Sequence, residues 1–326
     1  MAAASPIEHV VIIVKENHAF DNYFGRFPGA NGDGSMGAAA NPPALDPHHD
    51  HSAWLRRATG AVRQQYSQAD IPAYWSYAQQ FTLCDNYLTD VAGPSTPNHL
   101  MLIAADSPII DNPPRYRLPA GQALYDIPSL PANLDTAKLT WGNYGGYAFD
   151  FIKALKGRNH FASTQFATDA GAGKLPAVSW VYADHPLSEH PPDTPADHAA
   201  GVGNVTKGMQ WTVNQVNAVV RGKLWDHVAI FITWDDWGGW ADHVTPPLVE
   251  KWGDGTQFRY GTRVACLVLS PYAKRGNISS VLHSHVSLVK FCEVTFRLPS
   301  TSPRAAAADD MSDCFDFTQT PLPPPP

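Results

Sequence analysis

The chain has 326 residues, of which 44% are hydrophobic and 16% are charged, so it is long enough to bury a large core. Its formal net charge of -7 argues against a basic face, and we expect no nucleic-acid partner. The first apolar run, Val10 to Val14, is far shorter than the roughly 18 residues that cross a membrane. No signal peptide of normal form precedes it, so we expect a soluble chain without an integral membrane segment, either cytoplasmic or defined after signal removal.

The first predicted element is a buried strand from Val10 to Val14, where β-branched residues dominate. The strand is followed at once by the polar residues Lys15, Glu16 and Asn17. Because ligands bind at the carboxyl ends of strands in open parallel α/β sheets, Glu16 and Asn17 are candidate site residues. The alternative is that both residues solvate the loop after an ordinary core strand.

A loop rich in Gly, Ala and Pro is predicted over residues 28–47, and it leads into a histidine cluster. His48, His49 and His51 alternate there with acidic residues, which is typical either of a metal or phosphate site or of a solvated polar loop. A short helix is predicted next, from Tyr74 to Phe81.

A second candidate site residue lies in the segment from Gly93 to His99. Ser95 or Thr96 is expected to cap a helix whose first residue is Pro97, because hydroxyl side chains are preferred at the cap and proline at the first position. A hydroxyl at a helix N-terminus lies beside free N–H groups, which bind phosphate and favour a developing alkoxide. The alternative is a cap without any chemistry.

The second half of the chain begins with a loop-rich cap over the sheet edge, predicted for about residues 106–173. One domain is expected over residues 1–318, followed by a disordered Pro-rich tail over 319–326. The remaining predicted elements are strands at 178–182, 227–234 and 263–269 and helices at 208–220 and 285–296.

Two adjacent carboxylates, Asp235 and Asp236, follow the strand at 227–234, which is the most apolar strand of the chain. Their repulsion and desolvation are relieved when a cation lies between them, so the pair indicates a metal site. The alternative is an exposed turn, because Gly238 and Gly239 come next.

The four cysteines are Cys84, Cys266, Cys292 and Cys314, and none is in a CxxC motif. This spacing argues against a zinc-thiolate site, whereas disulfides stay open with three full pairings. Cys266 and Cys292 lie in apolar strand and helix patterns, which are typical of buried free thiols.

Together these elements predict a mostly parallel sheet with helices on both faces, and the carboxyl ends of its strands share one edge. Glu16, Asn17, Asp235 and Asp236 would hold a divalent ion there, similar to Ca²⁺, Zn²⁺ or Mg²⁺. The chemistry that uses this set together with a nearby Ser95 is phosphoester hydrolysis, with Ser95 as the nucleophile. The leaving alcohol needs a general acid, for which His190 is the first choice and His51 and His48 follow.

Several motifs in this order resemble the phosphoesterase family that unites bacterial phosphatidylcholine-type phospholipase C with an acid phosphatase called AcpA. The resemblance implies a three-layer α/β/α sandwich similar to alkaline phosphatase. In that family the Glu-Asn pair and the acidic pair hold the metal, and a Ser or Thr two positions before Pro-Asn is the nucleophile. The motifs are Glu16 to Gly25, Phe81 to Tyr87, Gly93 to Asn98, Ser188 to Pro191, and Trp234 to Gly239 followed by Asp242, His243 and Val244.

This chain departs from the family pattern at four positions. Many relatives have Arg in place of His18 and His99, many phospholipases have Thr in place of Ser95, and Glu often replaces Asp236.

The resemblance implies a bacterial, metal-dependent phospholipase C that cleaves phosphatidylcholine-type lipids to diacylglycerol and a phosphorylated headgroup through a phosphoserine. A broad acid phosphatase acting on phosphomonoesters is the alternative, and a non-catalytic metal-binding protein is a further one. Glu189, Trp237 and His243 are candidate substrate-binding residues, and Trp234, Trp237 and Trp240 are candidates for a choline cage. The family also implies a secreted or periplasmic protein with transient membrane-surface contact.

Overall fold

The computed structural model describes residues 5–119 and 121–326. The strands within these residues are β1 His9–Lys15, β2 Gly37–Ala38, β3 Gln64–Gln65, β4 Thr82–Leu88, β5 Trp141–Tyr144, β6 His160–Phe161, β7 Val178–Tyr182, β8 Val228–Trp234, β9 Glu250–Lys251, β10 Gln257–Arg259, β11 Arg263–Leu269, β12 Asn277–Ser279 and β13 His283–Ser284.

The α-helices within the same residues are α1 Phe20–Phe24, α2 His51–Leu55, α3 Arg57–Gly60, α4 Pro72–Gln80, α5 Ser95–Ala104, α6 Leu130–Thr136, α7 Gln165–Gly171, α8 Pro195–Ala200, α9 Val205–Arg221, α10 His285–Phe296 and α11 Pro303–Ala307. Short 3-10 turns are found at Pro114–Tyr116, Ala148–Phe151, His185–Leu187, Trp225–His227 and Ser312–Cys314.

Nine of these strands form the central sheet, in the order β12-β4-β11-β8-β1-β7-β5-β6, with β13 also pairing with β4. The pairings between these strands are parallel except for those of β11, which runs antiparallel to both β4 and β8. The carboxyl ends of β1, β4, β7 and β8 therefore lie at the same edge of the sheet. This confirms the predicted mostly parallel α/β sheet.

Helices cover the sheet in two groups, which explains why its central strands are apolar along their whole length. Helix α5 packs with α6 and α10, and α10 packs with α11, whereas α9 packs with α4 and α7. Every residue of β7, β8 and β11 is buried between these layers. The architecture is the expected three-layer α/β/α sandwich.

Three predicted elements have the predicted bounds, namely β7, β11 and α10. Strand β8 begins one residue later than predicted, and α9 begins three residues earlier, at Val205, because the Asn204 side chain caps it by accepting from Lys207 N. The predicted start of the helix after Gly93 is wrong by two residues. Pro94 is the N-cap, so Ser95 is the first residue of α5 instead of its cap.

The expectation that all apolar strands end at one edge is wrong for β11. The segment between β8 and β11 contains only the short strands β9 and β10 and no crossover helix, so the chain returns in the antiparallel direction. As a result the first residue of β11, Arg263, lies at the edge where β1 and β8 end.

The segment 106–173 differs from the predicted loop-rich cap, because its described residues add two strands to the central sheet. Strand β5 pairs with β7, and β6 pairs with β5. The sequence WGNY in β5 is short and contains Gly142, whose missing side chain leaves space for the Tyr144 ring. Such a strand has no alternating apolar signal that a sequence pattern detects.

The Pro-rich tail differs from the predicted disordered segment at Leu322. Its backbone N–H donates to Pro271 O at 2.8 Å, and its carbonyl accepts from Trp225 Nε1 at 2.9 Å. The Leu322 side chain is buried, so apolar burial holds this part of the tail on the domain. None of the helices in the described ranges has the length and apolarity needed to span a bilayer.

Candidate active site

The site is built where β1 and β8 end side by side. Asn17 has a left-handed backbone with φ of 64°, and its N–H donates to Asp235 Oδ1 at 3.0 Å. The N–H of Asp235 in turn donates to the carbonyl of Lys15 at 2.9 Å. A non-glycine residue in this conformation is strained, and the two hydrogen bonds compensate the strain. They fix the relative positions of the Glu16-Asn17 and Asp235-Asp236 pairs.

The two adjacent aspartates are fully buried and differ in their surroundings. Burial opposes ionisation of Asp235, but the hydrogen bond and charge of His99, 3.0 Å away at Nε2, lower its pKa to about 2. Burial and the charge of Asp235 raise the pKa of Asp236 to about 7. The charged form of Asp236 is therefore the destabilised member of the pair, and a bound cation would stabilise it.

Ser95 lies at the start of α5 with its Oγ 2.9 Å from Asp236 Oδ2 and 3.4 Å from Asn17 Oδ1. The side chain is almost fully buried, so the hydroxyl is held against the acidic cluster and away from bulk water. The first turn of this ten-residue helix also presents free N–H groups and a partial positive charge, which favour an anionic phosphoryl group beside Ser95.

Glu16 completes an oxygen-rich donor set with Asn17, Asp235 and Asp236. Burial and the charge of Asp235 raise the pKa of Glu16. Among the described residues no side chain or backbone group hydrogen-bonds to the Glu16 carboxylate, so its oxygens are free to ligate. Asp236 and the Asn17 amide contact the Ser95 hydroxyl, and Glu16 is near enough to Asp235 for their charges to interact. This oxygen-rich set fits a divalent cation, because hard cations prefer oxygen ligands and neutralise clustered carboxylates.

His49 is the member of the histidine cluster that the structure brings to this centre. Its Nε2 lies 3.2 Å from Asn17 Nδ2, and its carbonyl accepts from Trp237 Nε1 at 3.0 Å. Burial opposes protonation, but the charges of Asp236 and Asp46 outweigh it and raise the pKa of His49 to about 9. A protonated ring cannot accept from an amide N–H, so protonation requires the Asn17 amide to turn its oxygen toward His49.

His48 and His51, the two members of the cluster chosen from the sequence, are placed differently. His48 is exposed at the mouth of the site, where it lines a cavity beside Pro94. His51 is buried in the first turn of α2, and both of its ring nitrogens are engaged, Nδ1 with Ala92 O at 2.6 Å and Nε2 with Thr256 Oγ1 at 2.8 Å. The structure therefore brings neither imidazole into contact with Ser95.

His190 lies next to Glu16 at the same edge. Its Nδ1 lies 2.6 Å from Pro191 O, which leaves Nε2 as the nitrogen available for proton transfer. Burial opposes protonation, but the charges of Glu16 and Asp46 raise the pKa of His190. His185 is 5.1 Å away between ring centroids. A buried imidazole with one free nitrogen beside an acidic cluster has the geometry of a general acid.

Glu189 is not at the mouth, in contrast to its choice as a substrate-binding residue. Its carboxylate accepts from Tyr74 OH at 2.6 Å, Tyr23 OH at 2.8 Å and Trp234 Nε1 at 3.1 Å, and Lys15 Nζ lies 3.5 Å away. All of these groups are buried. Glu189 thus anchors the loop after β7 to the sheet and has no free oxygen for a substrate.

The other two candidate substrate-binding residues are engaged in the framework, Trp237 by burial and the part-exposed His243 by a contact with Asp21. Trp237 packs against Trp54 and Ala92, and its Nε1 donates to the His49 carbonyl. Its ring therefore belongs to the core and presents no exposed face to a choline group. His243 Nδ1 lies 2.6 Å from Asp21 Oδ2 within a network around Arg263. Trp234 and Trp240 are buried to the same degree as Trp237, which leaves the proposed choline cage without an exposed ring.

A cavity of about 460 Å³ is lined by His49 and by Pro94, the residue before Ser95, and we take it as the mouth of the site. An apolar groove of about 310 Å³ adjoins it and shares Asp111 and Asn112 with its wall. A larger cavity of about 570 Å³ lies behind Trp237 and Trp240, and its lining includes neither His49 nor Pro94. The cavity wall is formed by Asp46, Pro47, His48, His49, Asp50, Pro94, Asp111, Asn112 and Tyr116, and the groove by residues that include Pro108, Ile109, Ile110, Tyr125 and Trp252.

The sequence of the whole chain matches one family model. The model is that of the Phosphoesterase family, and it matches residues 7–44 and 47–299. The chain belongs to the phosphoesterase family. The matched residues include each member of the acidic cluster, Ser95 and both histidines that the structure places beside it.

Relatives of this phosphoesterase include a non-hemolytic phospholipase C of Burkholderia pseudomallei, which is 25% identical over 96% of this chain and 59% of that enzyme. Phospholipase C B of Mycobacterium tuberculosis is 26% identical over 97% of this chain and 79% of that enzyme. A non-specific phospholipase C6 of Arabidopsis thaliana is 22% identical over 97% of this chain and 74% of that protein. The chain thus spans between about three fifths and four fifths of the length of these relatives.

Solved structures support the same fold. Human ectonucleotide pyrophosphatase/phosphodiesterase 5 has a TM-score of 0.55 at 9% identity, covering 94% of this chain and 100% of that chain. The lipoteichoic acid synthase LtaP from Listeria monocytogenes has a TM-score of 0.54 at 9% identity, covering 91% of this chain and 74% of that chain. At such low identity these likenesses show the α/β/α sandwich fold and nothing finer.

The turn after Asp236 in this phosphoesterase requires a glycine at position 238. Gly238 has φ of 57°, and a Cβ there would lie 2.1 Å from Asn17 O. We expect Gly238→Ala to lower the free energy of unfolding by roughly 2 to 4 kcal/mol in urea denaturation, because the clash displaces the Glu16-Asn17 turn. Gly253→Ala is the matched control. It has nothing within 4 Å and should change stability by less than about 0.5 kcal/mol. Equal effects of the two variants would contradict the steric argument.

Proposed function

We propose that this protein is a metal-dependent phosphoester hydrolase and, in the first place, a phospholipase C that cleaves phosphatidylcholine-type lipids through a phosphoserine. The observation that carries the proposal is the buried Ser95 hydroxyl, which lies 2.9 Å from Asp236 Oδ2 at the N-terminus of α5. The relatives that match nearly the whole chain are phospholipases C, and this supports the substrate class.

The chemistry begins at Ser95. A divalent ion held by Glu16, Asn17, Asp235 and Asp236 would lower the pKa of the Ser95 hydroxyl and draw charge from the phosphoryl oxygens. Ser95 gives its proton to Asp236 Oδ2, 2.9 Å away, while its Oγ attacks phosphorus in line and the bond from phosphorus to the leaving alcohol breaks. Asp236 returns this proton to Ser95 Oγ when the phosphoserine is later cleaved. The N-terminus of α5 stabilises the charge on the phosphoryl group during this transfer.

Proton transfer in both steps is assigned to His190. Its Nε2 gives a proton to the departing alcohol, which leaves a phosphoserine and a neutral imidazole. The same nitrogen then takes a proton from the water that attacks phosphorus, so Ser95 and phosphate, or phosphorylated headgroup, are released and His190 returns to its starting state. When its ring is neutral, His49 Nε2 accepts from the Asn17 amide, which keeps the Asn17 oxygen directed toward Ser95.

The lipid assignment is supported by the apolar groove that adjoins the mouth. The groove offers Ile109, Ile110 and Trp252 to an acyl chain while the shared wall at Asp111 and Asn112 is polar. This arrangement suits an amphiphile whose phosphate sits at Ser95 and whose chains lie outward. Contact with a membrane surface is then transient, since the enzyme needs only to admit one lipid.

A phosphomonoesterase is the second candidate, and a different observation favours it. His49 and His190 lie beside the acidic cluster with their ring centroids 6.4 Å apart, and nearby carboxylates raise the pKa of both imidazoles. Protonated imidazoles at these positions would complement the second negative charge that a phosphomonoester has and a phosphodiester lacks. On this assignment the apolar groove has no role in turnover.

Two substrates and a chelator test the proposal. The purified chain is incubated with phosphatidylcholine vesicles and with para-nitrophenyl phosphate, before and after metal chelation, and released headgroup phosphate and nitrophenol are measured. Headgroup release that chelation removes is the expected result. Turnover of nitrophenyl phosphate alone would replace the first assignment by the second. Hydrolysis that survives chelation contradicts the mechanism, and no turnover of either substrate leaves the non-catalytic metal-binding alternative.

A further inference from the structure

A second cluster of metal-binding side chains lies away from the acidic cluster, at the β4 edge of the sheet. It comprises Cys84 on β4, His283 on β13 and Cys314 in the C-terminal 3-10 turn, and all three side chains are buried. One ligand atom from each of them lies within 4.8 Å of the other two. None of the three residues has a part in the hydrolytic mechanism.

The spacing of the two thiols fits a shared tetrahedral ion. Cys84 Sγ lies 3.7 Å from Cys314 Sγ. Two sulfurs bound at ~2.3 Å to one tetrahedral zinc ion are about 3.8 Å apart, whereas disulfide sulfurs are separated by ~2.05 Å. Both cysteines are free thiols in the structure. The third ligand is near as well, because His283 Nε2 lies 4.0 Å from Cys314 Sγ.

Acidic side chains supply the rest of a coordination shell. Asp313 Oδ1 lies 3.1 Å from His283 Nε2 and 3.7 Å from Cys314 Sγ, which places it beside a fourth ligand position. Asp309 Oδ1 lies 3.1 Å from His283 Nδ1, although this buried nitrogen has no partner in hydrogen-bond geometry. Metal-bound imidazoles usually donate their second N–H to a carboxylate, and a small rotation of the ring would make that bond. The carboxylates of Asp309 and Asp313 are part-exposed, so an ion can reach the buried thiols from this side.

We propose that Cys84, His283 and Cys314 bind a zinc ion, with Asp313 in the fourth position and Asp309 orienting the imidazole. Two thiolates and an imidazole are the ligand set that zinc prefers, which distinguishes this site from the oxygen-rich cluster at Ser95. The absence of a CxxC motif argued against such a site in the sequence. The fold brings these residues together although they are far apart in the sequence, because β4, β13 and the C-terminal turn meet at one edge of the sheet.

The ion would have a structural role. It joins a strand of the central sheet to the segment 309–314, which is also held there by the hydrogen bonds from Lys274 N–H to Cys314 O at 2.9 Å and from Ser279 Oγ to Asp313. Closed four-ligand sites of this kind contribute directly to folding free energy. We therefore expect metal loss to release the C-terminal segment and to leave the Ser95 centre in place.

The full chain, purified under reducing conditions, tests the site through its metal content and its spectrum. Loaded with Co²⁺, the wild-type protein should show near-ultraviolet thiolate-to-cobalt charge-transfer absorption, and Cys314→Ala should lose it together with one bound zinc per chain. Cys292→Ala is the matched control, since Cys292 is a buried free thiol outside the cluster. It should keep both signals.

Two outcomes would overturn the proposal. One is a folded wild-type protein whose cobalt form lacks the thiolate absorption, because this measurement depends on no variant and cannot be confused with misfolding. The other is recovery of Cys84 and Cys314 as a disulfide by peptide mass analysis.

Limited proteolysis tests the structural role of the ion independently. Chelation should expose the chain near residues 309–314 to cleavage in the wild type, and Cys314→Ala should be cleaved there without chelator.

Discussion

Replacing Ser95 by Ala should lower the rate of phosphoester hydrolysis by at least roughly a thousandfold, with the fold retained. The reason is that the proposed mechanism forms the covalent bond to phosphorus at this hydroxyl, and no other hydroxyl is described within hydrogen-bond distance of Asp236. Steady-state turnover measures the loss, and circular dichroism with urea denaturation checks the fold. The wild-type enzyme, quenched in acid during turnover, should carry phosphate on the peptide that contains Ser95, and the variant should not.

The matched control is Ser95→Thr, which keeps the hydroxyl at the position where many phospholipases of the family have threonine. Its added methyl group enters a buried site, so a reduced rate is expected, but turnover should stay well above that of Ser95→Ala. Metal content should be the same in all three proteins, because the ligands are untouched. Turnover of Ser95→Ala within about tenfold of wild type would show that Ser95 is not the nucleophile.

The parts of the site that the sequence predicted are those attached to apolar strands. Glu16 and Asn17 follow β1, and Asp235 and Asp236 follow β8, and the two strands pair in parallel with Lys15 opposite Trp234. An apolar run identifies each strand, and parallel packing brings the ends of such strands together without further information. Local sequence was therefore sufficient to predict this half of the site.

Side chains in loops were harder to assign, because distant contacts decide which way they point. His48, His49 and His51 are equivalent as a local pattern, yet the Trp237 indole holds the His49 carbonyl and places that ring at Asn17. Glu189 precedes His190 directly, but two tyrosines, a tryptophan and Lys15 bury its carboxylate. The partners that determine both outcomes lie 45 to 188 residues away along the chain, and no rule of local spacing predicts them.

Strand direction gave the third difference between sequence and structure. An apolar run such as β11 carries no sign of its direction, and only the missing crossover helix before it indicates an antiparallel return. That reversal places Arg263 instead of a carboxyl end at the site edge, and it sets Cys266 of β11 opposite Cys84 of β4. The direction of one strand thus determines which side chain lies beside the site.

Arg263→Met should be the most destabilising single substitution considered for this fold, lowering the free energy of unfolding by about 3 to 5 kcal/mol. The Arg263 side chain is fully buried and contacts Asp21 and Asp242 at 3.1 Å each, and it also donates to the carbonyls of Asn31 and Asp85 at 2.6 Å. Its removal leaves two buried carboxylates without a cation. Urea denaturation at pH 8 measures the deficit.

The pH dependence of this deficit follows from the carboxylates. Burial raises the pKa of Asp242 to about 6 even with Arg263 present, and loss of the guanidinium raises it further. An acid whose pKa is raised by folding binds its proton more tightly in the native state than in the unfolded state. The stability that this proton contributes to the native protein is therefore lost as the pH rises through the raised pKa. The free energy of unfolding of the variant should therefore be close to that of the wild type at pH 5, and the difference between them should increase toward pH 8.

Two controls separate the unpaired charges from lost packing. Lys153→Met removes a partner of an exposed pair with Asp126 and should cost less than about 1 kcal/mol. The triple variant with Arg263→Met, Asp21→Asn and Asp242→Asn removes the charges together, and it should recover most of the loss at pH 8, because neutral amides are far less costly to bury than carboxylates. A deficit that is equal at pH 5 and pH 8, and unchanged in the triple variant, would mean that Arg263 stabilises the sheet edge by packing over Phe20 and not by compensating Asp21 and Asp242.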